Sequence, residues 1–531
     1  MRQDEESNVS GDSRESDNRR EFLKKLGTAL GGVALTGGGA VAPLFGQATP
    51  LPSGYKFYRV LTANDEQPYS GGVNPVGTLS AAVMLGAFQA EGKPQKDVIY
   101  FHGTTTPKAH TGSPQALFRA QVDYSSGKPQ VIAVFIAVAE GDSLSQVAGV
   151  PSDQLPLVVG TLGIGSANSK AFYATTIAVN DYGTADNADY SIPLKSAPGV
   201  YLLDPVYGTW SNVARLGDPS PDGAQYGGFF GDVLLNEDNT VEMVAATTNP
   251  PAVAGLGAAA DRSRVPWTTT THALIHVSPG RHGHSYIVLK TGDRLPGTAA
   301  VVQSIGLIDA IHGELFVAQV NARRLDVVNA LPTTAVVRGR LQPGGSAGPS
   351  DLALLTGSPG LFANGVPAHR DTLVGETFFG PRIGFDGLAA IVTHDSVSVP
   401  SGGSLDLQRL STWGRRGREL IFRAGDLTAN NATAVGDPVV SPTTGLAYVI
   451  RVLEDGTTEL VVFNQAQEEK VILRSGDEVE GLATTEILHG YHPAQVDPAG
   501  RVAFAAEFLK DPKNPHAEGS VISCLVVGIP V

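Results

Sequence analysis

Val471-Ile472-Leu473-Arg474-Ser475-Gly476-Asp477 is a short apolar strand that runs into a Gly-Asp corner, and the same arrangement recurs along the chain. It returns as Val134 to Gly141-Asp142, Val213 to Gly217-Asp218, Ile287 to Gly292-Asp293 and Glu419 to Gly425-Asp426, with looser copies at Leu352 to Gly357-Ser358 and Tyr55 to Asn64-Asp65. The seven corner positions, 64, 141, 217, 292, 357, 425 and 476, are spaced 77, 76, 75, 65, 68 and 51 residues apart, a span that suits a small β module or one blade of a propeller. Glycine supplies the positive φ that a tight strand end requires, and the aspartate is expected to accept a hydrogen bond from a backbone N–H further on. Because Asp142, Asp218, Asp293, Asp426 and Asp477 repeat in every well-formed unit, they read as turn residues and not as unique catalytic acids.

Between 20 and 29 residues after five of the corners comes a second signature, a Gly-containing turn feeding an apolar strand. The clearest copy is Asp497-Pro498-Ala499-Gly500-Arg501-Val502-Ala503-Phe504, and others begin at Asp238, His312, Asp386 and Gly445. In the third unit the apolar segments Asp232 to Leu235, Thr240 to Ala246, His272 to Val277 and Ser285 to Leu289 make four strands, the number in a propeller blade.

The Asp497 to Phe504 motif, together with the Gly-Asp corners, resembles a family of exported bacterial tandem-repeat proteins with the consensus Asn-x-x-Gly-x-x-Ala-Phe. The resemblance covers most of residues 55 to 508, although only the last copy keeps the motif nearly intact and two copies, Gly77 to Phe88 and Ser166 to Tyr173, are degenerate. It implies an extracytoplasmic, propeller-like protein and no established activity.

The chain ends point to a ring. Tyr55 to Asp65 supplies a final strand and corner without the strands before it, whereas the last unit has Arg501 to Phe508 and Ser520 to Gly528 but no final strand. Docking one beside the other would cover both exposed edges. The expected fold class is therefore all-β, a β-propeller-like ring of about seven four-stranded blades closed by pairing of N- and C-terminal strands; the rival arrangements are an open β array or two stacked β domains.

Composition agrees with many short strands and tight turns: 42% apolar and 17% charged residues, with 63 Gly and 35 Pro in 531 residues. The formal net charge of −14 offers no invitation to nucleic acid or to an anionic membrane. A single cysteine, Cys524 in an apolar segment, forbids an internal disulfide and reads as a buried thiol.

Asn18-Arg19-Arg20-Glu21-Phe22-Leu23-Lys24-Lys25 resembles the twin-arginine export consensus and departs from it only at Asn18. The run Leu26 to Phe45 contains six glycines and Pro43, which makes a poor membrane-spanning helix, and Gly46-Gln47-Ala48 suits a signal peptidase. Residues 1–48 are thus expected to be a twin-arginine signal peptide and residues 49–531 one β-propeller-like repeat domain, periplasmic or extracellular and free of the membrane after cleavage. No cysteine near the cleavage point could carry a lipid.

Chemistry is thinly marked. Four of the twelve histidines, His272, His276, His282 and His284, fall in one hairpin-like stretch, with the first two expected on one strand face and the last two on another. Zinc or copper would be the metals for such a set. Asn180 to Asp189 is an acidic loop with some character of a calcium site but without EF-hand spacing. His489 and His492 sit by a turn, and Gly344-Gly345-Ser346-Ala347-Gly348 matches a nucleophile motif outside any strand-to-helix context. Trp413, Arg415, Arg416 and Arg418 form a basic aromatic cluster that could contact a sugar acid or a protein. No cofactor fingerprint is present. The leading expectation is an exported binding or scaffolding protein with an unknown protein or glycan partner. The alternatives are an extracytoplasmic polysaccharide lyase or hydrolase with its site at the central channel, and a periplasmic metal-binding protein.

Overall fold

The computed structural model describes most of residues 48–531. Outside the described residues lie 1–47, 65–75, 89–95, 106–114, 140–157, 182–194, 249–269, 280–283, 343–351, 356–371, 374–377, 399–403, 424–431, 489–493, 511–512, 514–519 and positions 164, 169, 197, 312–313, 385–386, 417–418, 436 and 442. The expected signal segment thus falls almost wholly outside them.

The strands form seven antiparallel sheets. Blade one pairs Val76–Phe88, Lys96–Thr105, Gln115–Asp123 and Gln130–Ala139 in chain order, and blade three does the same with Gln225–Leu235, Val241–Thr248, Thr270–Val277 and Ser285–Lys290. Blade four is Ala300–Ile311, Leu315–Arg324, Thr333–Arg340 and Leu352–Leu355. In blades two, five, six and seven the first strand is split into two short pieces on the same edge of the second strand, as with Leu482–Ile487 and Ala494–Val496 beside Val502–Leu509. Blades one, three and four keep that strand whole but carry a register shift in it, at Leu79/Val83, Phe230/Val233 and Ile305/Ile308.

First strands of successive blades touch, and the series closes when Ala494–Val496 of blade seven meets Val76–Phe88 of blade one. A cycle of this kind places the first strands around an axis, with the fourth strands on the outside. The outer strand of blade seven comes from the other end of the chain: Tyr55–Thr62 pairs with Val521–Pro530 through hydrogen bonds, from Tyr55 opposite Pro530 to Thr62 opposite Cys524. Phe57 packs edge-on against Phe504, and the hydroxyls of Tyr55 and Tyr448 are 2.8 Å apart. The expected seven-bladed, closed arrangement is what the chain forms.

Each second strand is sandwiched, so apolar residues run along it without alternation. Every residue of Val241–Thr248 is buried. Val244 and Leu274 face the core shared with blade four, whereas Met243, Ala245, Ala273 and Ile275 face blade two.

The corners are equivalent where they are described. Gly217, Gly292 and Gly476 have φ of 86°, 92° and 96°. In each the aspartate that follows accepts a hydrogen bond from the backbone N–H three residues before it: Arg215 to Asp218 at 2.9 Å, Lys290 to Asp293 at 2.8 Å and Arg474 to Asp477 at 2.8 Å. The glycine N–H in turn reaches the first strand of the next blade, at the carbonyls of Tyr226, Val302 and Thr484, and Asn64 (φ 62°) makes the same link to Val76. The sequence expectation had the carboxylate bonding forward; it bonds backward, because the carbonyls and amides ahead are already used in docking the next blade. The corners at 141, 357 and 425 lie outside the described residues.

The second signature is the hairpin between first and second strands, closed at Asn168–Phe172, Asn236–Thr240, Gly384–Leu388, Ser441–Leu446 and Asp497–Arg501. Gly77 to Phe88 departs from this: it is the first strand of blade one, one element earlier than a turn-and-strand copy would be.

Candidate functional site at the rim of blades three and four

An acid inside an apolar strand is expensive unless it is paired, so Glu242 in Val241–Thr248 marks a place where the structure must supply partners. Strand register sets Glu242 opposite His276, and His276 opposite Tyr286, in a row across three strands of blade three. The row lies beside the turn at 236–240, on the face of the blade that meets blade four.

The Glu242 side chain is fully buried, and its Oε1 is 2.8 Å from His276 Nδ1. Asn236 Nδ2 donates to both carboxylate oxygens, at 3.0 and 2.8 Å, and lies 2.8 Å from Thr240 Oγ1. A carboxylate oxygen accepts, so this contact is a donation from His276 Nδ1–H to Glu242. The His276 ring stacks on Tyr286 with centroids 4.6 Å apart, and His284 stands 5.9 Å from His276 and 6.2 Å from Tyr286. Tyr286 Oη donates to the Leu341 carbonyl of blade four at 3.2 Å, which ties the stack to the neighbouring blade. Burial, and then the Glu242 charge, push the Tyr286 phenol above its ordinary value. His284 is exposed, so the stack opens to solvent at one end.

His276 and His284 are therefore brought together, with Glu242 as a partner that the sequence reading did not single out. His272 stands directly opposite Ala246, toward the other end of its strand, and stacks on Phe230 at 5.0 Å; burial lowers its pKa. His282 lies outside the described residues. Among the described residues no group of three or more His, Cys, Asp or Glu is placed to hold a metal ion.

Only part of the basic aromatic cluster lies among the described residues. Trp413 is a core residue, 3% exposed, opposite Ala389 and Phe422. Arg415 is half-buried and its carbonyl accepts from Arg338 of blade four at 3.4 Å, next to a second bond from Arg338 Nε to the Gly387 carbonyl at 2.8 Å. The side chain of Arg416 and all of Arg418 lie outside the described residues, as do His489, His492, residues 344–348 and nearly all of the acidic loop at 180–189. Cys524 is buried, with its Sγ 3.5 Å from Thr62 Oγ1.

Two further charge clusters occur, one between blades seven and one and one within blade six, the sheet of Ala447–Leu453, Thr458–Phe463 and Glu469–Arg474. Arg501 pairs with Asp497 in its own turn and with Asp97 of blade one, and its guanidinium lies 4.0 Å from the centre of the Tyr124 ring. Arg451 reaches Glu459 at 2.8 Å, and Arg474 pairs with the other oxygen of Glu459. Arg451 and Glu459, like Glu242, are charged residues inside apolar runs, a sequence signal that would have found all three.

Comparison with protein-family models gives no match, and comparison with curated proteins gives none. Among solved structures the chain is similar to polysaccharide lyase Uly1, at 8% identity and a TM-score of 0.36 over 91% of this chain and 99% of that one. It is also similar to a PL25 ulvan lyase bound to -[GlcA(1-4)Rha3S]-, at 11% identity and 0.34 over 81% and 91%. A third is the periplasmic gluconolactonase of Pseudomonas aeruginosa, at 11% identity and 0.30 over 85% and 96%. At these identities and scores the likenesses add nothing to the ring of sheets that the strand pairing establishes.

Proposed function

We propose that this is an exported binding propeller that holds a glycan at the rim of blades three and four. The observation that carries the reading is the row of three rings, His276, Tyr286 and His284, with its inner end fixed by buried Glu242 and its outer end open. Flat rings held at a fixed tilt offer a face for the C–H surface of a sugar, and exposed Asp238 in the adjoining turn supplies a carboxylate near it. Calorimetric titration of the chain from residue 49 with a panel of neutral and acidic oligosaccharides tests this. One member of the panel should bind, at least tenfold more weakly to His284→Ala; no binding across the panel, or unchanged binding to the variant, overturns it.

A second reading is catalytic, a polysaccharide lyase or hydrolase, and one observation favours it: an imidazole oriented by a buried carboxylate and stacked on a phenol is a pair of side chains of the kind that general acid–base cleavage uses. The same oligosaccharides would then be shortened during incubation, and His276→Ala would abolish the shortening.

A further inference from the structure

The turn between the second and third strands of blade four, Leu325-Asp326-Val327-Val328-Asn329-Ala330-Leu331, exposes four large aliphatic side chains in seven residues. Val328 is 90% exposed, Leu331 83%, Leu325 59% and Val327 45%. Single exposed aliphatics are ordinary, but a cluster at a projecting tip costs solubility and calls for a partner.

Its surroundings say which partner. The loop is docked by a bond from the Leu325 N–H to the Ala299 carbonyl, next to the Gly292-Asp293 corner. Arg294 bridges to Val301, and Val301 pairs with Arg323, so two exposed arginines flank one strand immediately behind the tip. Lys290 and Arg324 complete four cations, against two carboxylates. Of these, Asp326 is held by Arg324 through two bonds of 3.0 and 2.6 Å, and Asp293 is half-buried in its corner. An aliphatic tip with a cationic collar matches the layering of a phospholipid surface, where acyl chains lie beneath anionic headgroups. The net charge of −14 does not oppose this, since screening limits the field of distant carboxylates to about 8 Å at physiological salt.

We propose that the 325–331 loop is a membrane-docking tip that inserts its aliphatic side chains into an anionic phospholipid surface while Arg294 and Arg323 contact the headgroups. It stands at the opposite end of the ring from the His276 rim, because second-to-third-strand turns and Gly-Asp corners share one end. A docked ring would therefore present the rim away from the bilayer.

Co-sedimentation of the chain from residue 49 with phosphatidylcholine vesicles, with and without phosphatidylglycerol, tests the proposal. Binding is expected to the mixed vesicles, to fall at least tenfold in Val328→Asp/Leu331→Asp, and to fall at least tenfold in Arg294→Glu/Arg323→Glu. All four positions are exposed, so thermal melting should confirm that both variants fold. Failure of the unaltered chain to sediment, or sedimentation by either variant at the original level, overturns the proposal. So does concentration-dependent self-association of the unaltered chain that Val328→Asp/Leu331→Asp abolishes, for then the tip's partner is a second copy.

Discussion

His102 sits between blades one and two, with its Nε2 3.2 Å from the Tyr173 hydroxyl, and loss of hydration there pushes its imidazole down to about 4. For a base with a lowered folded-state value the unfolded chain takes up the proton first. Stability from this group is therefore complete above the unfolded value near 6.5 and is lost as pH falls from there toward 4. The loss amounts to at most about 3 kcal/mol. Denaturant titrations at several pH values should show the unaltered chain losing that much more stability over this interval than His102→Gln; parallel curves would refute the assignment. Gly476, with φ 96° and open space where a Cβ would stand, is constrained only by its backbone. Gly476→Ala should cost about 1 kcal/mol. Gly476→Asn should cost less, because Asn64 already occupies the equivalent corner at φ 62°. The need for glycine was legible in the repeat, whereas the direction of the aspartate's bond was not, since it depends on which amides the next blade consumes.

Among elements, the buried second and third strands were the easiest to recognise, because a strand covered on both faces is a plain apolar run. Thr458–Phe463 is buried at every position, yet it contains Glu459, and Ala447–Leu453 contains Arg451, 1% exposed. Cross-strand register alone explains them: Arg451 stands opposite Glu459 and Glu459 opposite Arg474. Arg451→Ala would leave the buried Glu459 carboxylate with Arg474 as its remaining ion-pair partner and should lower stability by about 3 kcal/mol, while Arg451→Met/Glu459→Met should recover most of the loss. Equal destabilisation of the single and double variants in chemical denaturation would show that the pair does not act as a unit. The split and shifted first strands left no trace in the sequence reading, which took Gly77 to Phe88 for a turn-and-strand copy. Short apolar pieces near the axis have the same composition whether they are continuous, bulged or broken.

For the whole molecule, closure rests on the first described strand. Tyr58 and Leu61 are buried in it, and its removal would uncover the edge of Val521–Pro530 and the apolar face around Phe504. A chain beginning at residue 64 should unfold at least 10 °C lower than one beginning at residue 49 and should self-associate through the open edge. Adding a peptide of residues 49–63 should restore both properties; indifference to the truncation would mean that the seven sheets hold together without a clasp.

The corner repeat, the Gly-containing hairpins and the complementary chain ends were enough to establish an all-β ring of seven blades, because backbone geometry and burial impose local patterns that repeat with each unit. The candidate site was different in kind. Four histidines were visible in one stretch, but only the fold separated His272 from His276 and His284, buried Trp413 in a blade, and delivered Glu242 from another strand. Register unites residues across strands, as Glu242 with His276 and Arg451 with Glu459, and blade-to-blade packing unites Arg501 with Asp97. Such partnerships depend on which strands become neighbours, a property of the assembled ring and not of any one segment.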